Sequence, residues 1–417
     1  MNQRQRKPNK QLAQQIHSPF AAKKGKGWKP ALLITAVVVL IAGGVVGAAR
    51  LGWLNIPGLT PQNSGDVTPG ETKPDTKIHI VAGGDLNVTD KSVAAGAVGN
   101  GYDYAGIFLD VMPVLSGSDL TLLNFEGNLC GEPYGSTYSS APQQMVQALR
   151  DAGVDILQTA NSKTITGGLL GMSATISGIR SAGMESLGSY ASNAEFDRYG
   201  GYLIREIQGI KVAFVAFTKG MDGRGLPAGN ENCVNLLYTD YASTYQKVDE
   251  GRITRILRSA KAQKPDVIIA MLHWGSEFND QISSTQKKIT TLLQEEGVDA
   301  IIGTHPHYVQ KMTLDKTTGQ FIAYSLGDFF GDAEKAGTNY SVLLDLEITR
   351  DGRTGDVKIT DYSYTPIYTA YEESGTRILR IREAMTAYEK GSLGRVSKET
   401  YDAMKNALER IESRVKG

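Results

Sequence analysis

Residues 270–310 read AMLHWGSEFNDQISSTQKKITTLLQEEGVDAIIGTHPHYVQ, and their pattern decides the fold. The apolar run Val267–Leu272 ends in His273-Trp274-Gly275, with Glu277 two residues on. Ile289, Leu292 and Leu293 then recur at helical spacing. A second apolar run, Val298–Ile302, ends in Gly303-Thr304-His305-Pro306-His307. This is a β-α-β unit whose two strands both deliver histidines at their carboxyl ends, the edge where open α/β sheets bind ligands. The chain has 5 histidines, and three of them lie here. Neutral imidazole is the commonest metal ligand, and the His-Pro-His turn can aim two rings at one site. The alternative is a set of polar residues satisfied at strand ends.

Outward from this unit the pattern repeats. Lys77–Gly83, Leu120–Phe125 and Val154–Thr159 read as strands, ending at Asp85, at Asn124-Phe125-Glu126 and at Asn161-Ser162-Lys163. Helices are expected over about Tyr104–Leu115, Gln143–Ala152, Met172–Ala182 and Tyr245–Ala262. Tyr202–Gln208 and Ile210–Phe217 form a hairpin about Gly209, and residues 219–235 form a long loop of the kind that is often functional. Phe321–Leu326 is a further strand, closing in Gly327-Asp328. Ser341–Ile348 and Val357–Tyr364 form an antiparallel pair, and the tail beyond residue 371 reads as polar and helical. Strands alternating with helices specify an α/β fold. Carboxylates and imidazoles gathered at strand ends form a ligand set for divalent Zn, Mn or Fe, one or two ions. His79, inside the first strand, reads as a packed or edge residue.

The average charge is zero, but it is unevenly spread. Residues 1–29 carry eight Lys/Arg and no Asp/Glu, leaving 36 basic against 44 acidic residues beyond them. A mildly acidic bulk argues against nucleic-acid binding. Residues 31–49 contain no charge and as a helix span roughly 28 Å, about one hydrocarbon core. The preceding positive charge predicts a cytoplasmic N-terminus and an external C-terminal part; a cleaved signal peptide is the alternative. The expected plan is a basic tail over 1–29, a transmembrane helix over 30–52 and a Pro/Gly/Ser/Thr-rich linker over 53–76. A folded domain over 77–370 and an extension over 371–417 follow. Cys130 and Cys233 then lie where a disulfide can persist, and their pairing is left open.

Several motifs, in order, resemble the CapA family of capsule-synthesis proteins associated with poly-γ-glutamate. They are Gly84-Asp85, Asn124-x-Glu126, Ala160-Asn161, His273-Trp274-Gly275-x-Glu277, Gly303-x-His305-Pro306-His307-x-x-Gln310 and Tyr324-Ser325-Leu326-Gly327. The resemblance covers roughly residues 77–370. It implies a metallophosphoesterase-like four-layer α/β/β/α sandwich with the site at the strand ends. It also implies that Asp85 and His307 hold one metal, that His273 and His305 hold a second, and that Glu126 bridges them. His273, Glu277 and Lys163 are the candidate catalytic residues.

The chain departs from the family pattern ANNHxxDxG. Ser162 replaces the second Asn, Lys163 the His and Thr166 the Asp; Asp328 replaces the Asn of YSLGNF, and Asn87 stands where Asp-x-His has histidine. Lys163 reads either as a solvated loop residue in a site that has lost phosphoesterase chemistry, or as a cation in the cleft facing an anionic substrate. A lysine near two metal ions is repelled by them, which favours one ion or none. The expected function is a membrane-anchored, extracellular protein of capsule biosynthesis, export or retention, with an anionic polymer and other membrane capsule-synthesis proteins as partners. The alternative is a metal-dependent hydrolase of phosphoester or amide bonds in an envelope polymer.

Overall fold

Each half of the chain lays down apolar strands in parallel, and the two series become two packed sheets. The computed structural model describes residues 73–417 apart from positions 333, 393 and 395. The expected tail, membrane helix and nearly all of the linker lie outside the described residues. Among the described residues no helix is long and apolar enough to cross a membrane.

The strands are β1 (Thr76–Asn87), β2 (Ala97–Val98), β3 (Gly101–Tyr102), β4 (Leu120–Glu126), β5 (Ile156–Gln158), β6 (Glu185–Leu187), β7 (Tyr202–Ile207), β8 (Ile210–Thr218), β9 (Val267–His273), β10 (Ala300–Thr304), β11 (Met312–Asp315), β12 (Gln320–Ala323), β13 (Tyr340–Arg350), β14 (Val357–Glu372) and β15 (Gly375–Arg380). The first sheet has the order β15-β14-β13-β1-β4-β5-β6, and the second β11-β12-β10-β9-β8-β7. Strands β1, β4, β5 and β6 run parallel, as do β8, β9, β10 and β12. Their carboxyl ends carry the site.

Side-chain alternation sorts each strand between two cores. Ile80 and Ala82 of β1, Leu122 of β4, Phe214 of β8, Ile269 and Met271 of β9 and Ile302 of β10 fill the space between the sheets. Val81, Leu123 and Phe125 face the opposite way, onto the helical segments Ala105–Phe108, Met112–Leu115 and Gln143–Asp151. Val215, Ile268, Ala270 and Leu272 meet the helices Glu250–Lys261 and Ser284–Glu295. Burying one such Leu- or Phe-sized side chain stabilises by roughly 1.5–3 kcal/mol.

Several expectations need correction. Strand β1 continues beyond Gly83 to Asn87, with a register shift between Ala82 and Asp85. The helix expected from Tyr104 breaks into two single turns, with Pro113 near the start of the second. The helix expected from Tyr245 begins at Glu250, capped by Asp249, because Tyr245 has φ 55 and Val248 bridges back to Tyr238. The tail opens with strand β15 rather than helix. Its helix Lys398–Lys416 puts Met404, Ala407, Ile411 and Val415 into the core between the sheets, so the segment belongs to the same compact unit as the strands. Cys130 and Cys233, whose pairing the sequence leaves open, are free thiols.

Candidate metal centre

Glycine decides how closely the elements approach at the site. A Cβ on Gly84 would lie 1.7 Å from the Gly327 carbonyl oxygen, and one on Gly303 1.9 Å from that of Tyr324. Gly84 therefore lets the end of β1 lie against the turn after β12, where the Asp85 N–H donates to Gly327 O at 3.0 Å. Gly303 admits the closing of β10 against the same segment, and the Leu326 N–H donates back to Gly303 O at 3.1 Å. Trp274 is fully buried, stacks on Tyr324 and donates to its carbonyl at 2.9 Å. Its role is packing rather than lining the cleft.

Three groups of ligand atoms lie on this seam, each within 4.8 Å of one another: Glu126 with His273 and His305, Asp85 with His307 and Asp328, and Glu277 with His305 and His307. Asp85, Glu126, His273, His305, His307 and Asp328 are all buried. The Asp85 carboxylate accepts from the Asn124 amide and from the His305 N–H at 2.8 Å, and its oxygens lie 3.7 Å from His273 Nδ1 and 3.8 Å from His307 Nδ1. Glu126 Oε1 lies 3.5 Å from His273 Nε2. Asn161 donates to Asn124 Oδ1 at 3.1 Å and to the Phe125 carbonyl at 2.7 Å, so it braces the carboxylate side.

The electrostatics are those of a charge-compensated cluster. Burial alone would lower the pKa of His273, but Glu126 and Asp85 raise it to about 9. Burial likewise opposes charge on His307, and Asp328, 2.8 Å from Nδ1, holds its pKa well above the ordinary value. His305 is driven the other way, by burial and then by the neighbouring His273, Lys219 and His307. Asp328 rises to about 7, chiefly through burial, against the pull of His307. Burial also opposes charge on Asp85, yet His273 and His307 keep its pKa below the usual value.

These residues fit a divalent cation on two observations. Among the described residues Glu126 Oε2 and His305 Nδ1 are buried without a hydrogen-bond partner, a condition that costs roughly 1–3 kcal/mol per group. His305 and His307 also sit at φ 91 and 58, in backbone conformations disfavoured for residues other than glycine. Such strain is typically held where it serves a site. A cation among these atoms would take over the role that protons on His273 and His307 play in its absence.

Of the remaining expected residues, Ser162 and Glu277 line a cleft of about 270 Å³ beside His305. Glu277 is exposed on its rim and makes no hydrogen bond to a histidine among the described residues, so it does not orient one. Ser162 lines the cleft and contacts His273 Nε2 at 3.0 Å. Lys163 is not in the cluster: its Nζ pairs with Asp222 at 2.7 Å, with both side chains about a third exposed. Burial opposes its charge, but Glu126 and Asp222 keep its pKa raised. Thr166 Oγ1 is buried and has no hydrogen-bond partner among the described residues. His79 pairs with Asp345 of β13 at 3.1 Å, away from the site.

A profile of the family described as bacterial capsule synthesis protein PGA_cap matches residues 79–333, more than half of the chain and all of the cluster. The chain belongs to the PGA_cap family. The PGA biosynthesis protein CapA of Bacillus subtilis strain 168 is 24% identical over 262 residues, covering 61% of this chain and 64% of that protein. The capsule biosynthesis protein CapA of Bacillus anthracis is 27% identical over 259 residues, covering 60% of this chain and 59% of that protein. This PGA_cap chain thus spans less than two thirds of the length of both relatives. Among solved structures, the calcineurin-like phosphoesterase YfkN of B. subtilis overlaps 81% of this chain and 100% of its own at 16% identity and a TM-score of 0.44.

Four contributors to this PGA_cap site were not singled out in sequence as site residues. Asp328 stood out only as a departure from YSLGNF, and its contact with His307 gives that departure a place. Thr304 contacts His273 Nδ1 at 3.1 Å and lies two residues beyond the expected strand Val298–Ile302. Lys219 and Asp222 come from the start of the long loop, whose length was the only signal.

Proposed function

We propose that this protein is a membrane-anchored, outward-facing component of capsule assembly that binds, guides or retains an anionic polymer such as poly-γ-glutamate. The observation that carries the reading is the family match, which contains every residue of the buried cluster. The basic segment before the charge-free stretch 31–49 supports a cytoplasmic N-terminus and an external folded part. Two packed sheets with helices outside and the site at the strand ends suit the metallophosphoesterase-like sandwich that the resemblance implies. Other membrane capsule-synthesis proteins are the expected partners.

Asp85, Glu126, His273, His305 and His307 would hold one or two divalent ions, Zn, Mn or Fe, with Asp328 supporting His307. Deleting the gene and restoring it in wild-type or Glu126→Gln form tests the proposal. Surface polymer should fall on deletion and return only with the wild type; unchanged polymer on deletion would overturn it.

A second reading, metal-dependent hydrolysis of phosphoester or polymer amide bonds, is favoured by the two unpartnered buried atoms Glu126 Oε2 and His305 Nδ1. A divalent ion held there would polarise a phosphoryl or acyl oxygen and acidify water. On the protein's side, Ser162 and Thr304 fix the His273 ring, and Glu277 on the rim is placed to accept a proton from an incoming group. Purified protein assayed on phosphoesters and poly-γ-glutamate, with each metal and with chelator, decides this reading. Absence of metal-dependent turnover would sink it.

A further inference from the structure

The polymer-binding reading makes no use of the cleft beside His305. Its lining includes Lys219, Asp222, Tyr245, Ser276 and Glu277. Asp222 is already neutralised by Lys163 at 2.7 Å and faces Arg224 at 3.9 Å. Two charges are left facing the space. Lys219 is the only lysine or arginine among the described lining residues. Its Nζ donates to the Gly275 carbonyl at 2.8 Å and lies 4.6 Å from the centre of the Tyr245 ring. An ammonium has three N–H donors, so the carbonyl leaves capacity for a ligand. Glu277 makes no hydrogen bond or ion pair among the described residues, so its carboxylate is a vacant acceptor.

We infer that this cleft holds one amino-acid unit of an anionic polypeptide, its carboxylate on Lys219 and its N–H on Glu277. Three observations point to that class. Pockets that enclose a whole drug-sized ligand run to about 300–1,000 Å³, so about 270 Å³ suits one unit of a longer chain. A monoanionic carboxylate with a neighbouring N–H matches one cation and one acceptor, whereas a phosphate dianion would be repelled by Glu277. The chain beyond residue 29 has an excess of acidic residues, so attraction of a polyanion must be local. Lys219 touches a carbonyl and an aromatic face and forms no direct ion pair among the described residues, although Glu277 and Asp222 lie near enough to act on its charge. Burial lowers its pKa, so a bound carboxylate would restore what desolvation removes.

The inference rests on the polymer-binding reading, and calorimetry on the full chain separates the two. The probe is a short γ-linked glutamate oligomer, titrated into wild type, Lys219→Met and Glu277→Gln, with inorganic phosphate as a second titrant. Wild type should bind the oligomer. Lys219→Met should weaken it at least about tenfold, the scale of one charge-assisted contact. Glu277→Gln, an exposed change that leaves the core intact, should weaken it by a smaller factor while improving phosphate binding. Metal content should not change in Lys219→Met. Wild type that ignores the oligomer would overturn both this inference and the polymer-binding reading. Oligomer binding that both variants retain at full strength would overturn this inference alone. Phosphate bound more tightly than the oligomer by wild type and lost in Lys219→Met would replace it with a phosphate site.

Discussion

The two sheets bring opposite chemistry to their shared edge. The first ends in oxygen ligands and amides: Asp85 on β1, Asn124 and Glu126 on β4, and Asn161 after β5. The second ends chiefly in imidazoles, His273 on β9 and His305 and His307 after β10, with one carboxylate, Asp328, after β12. Neither edge is balanced alone. Buried carboxylates without cations, or several protonated imidazoles with a single carboxylate, would be strongly disfavoured. Together they form a compensated cluster with room for a divalent ion's ligands, so the site exists only through the packing of one sheet on the other.

Breaking the seam should have the largest effect. Gly84→Ala forces a Cβ against the Gly327 carbonyl and should cost about 3 kcal/mol or more, read as a fall in Tm, with loss of metal binding. A Tm unchanged in this variant would show that the two edges do not depend on this close approach.

Removing charge without removing shape sharpens the comparison. Asp328→Asn keeps an oxygen acceptor for His307 Nδ1 but not the anion. Supporting carboxylates of ligating histidines are typically worth 10–100-fold in metal affinity, and a loss of about tenfold is expected by competition with a chelator. Equal affinity would detach Asp328 from the site.

The imidazole edge also predicts a pH trend in metal-stripped protein. The folded pKa of His273, about 9, lies above its unfolded value of about 6.5. Its contribution is therefore fully present below about pH 6.5 and lost as pH rises through about 9. Chelated protein should lose Tm across that interval, and metal-loaded protein should not, because the metal takes the deprotonated ring. A flat profile for chelated protein would contradict the compensated cluster.

The smallest effect is expected at Lys163. Its pair with Asp222 is about a third exposed, and such pairs contribute about 0–1 kcal/mol. Lys163→Ala should leave Tm within a few degrees and metal content unchanged. Loss of metal would place Lys163 in the cluster after all.

The difference between the edges also explains what the sequence disclosed. Strands buried on both faces read as apolar runs, so a polar residue at their ends is conspicuous; Asp85, Glu126, His273 and the His-Pro-His turn were legible for that reason. Asp328 and Lys219 were not, because a turn after β12 and a long loop carry no periodicity, and their approach depends on Gly84, Gly303 and tertiary contacts. The three-residue strands β5 and β6 are held by parallel neighbours rather than by their own pattern; the first was expected too long and the second passed unnoticed. Tyr245 followed the helical spacing but lies in a loop, where its ring meets Lys219. The polar tail concealed Met404, Ala407, Ile411 and Val415, whose spacing of three and four residues marks a buried helix face.

The most direct test is the metal content of the purified full chain after loading with Zn, Mn or Fe, for wild type and for His305→Ala/His307→Ala. Bound metal in stoichiometric amount in the wild type, lost from a double variant that remains folded by circular dichroism, is the predicted result. Wild type that retains no metal after loading with any of the three ions would contradict the metal centre.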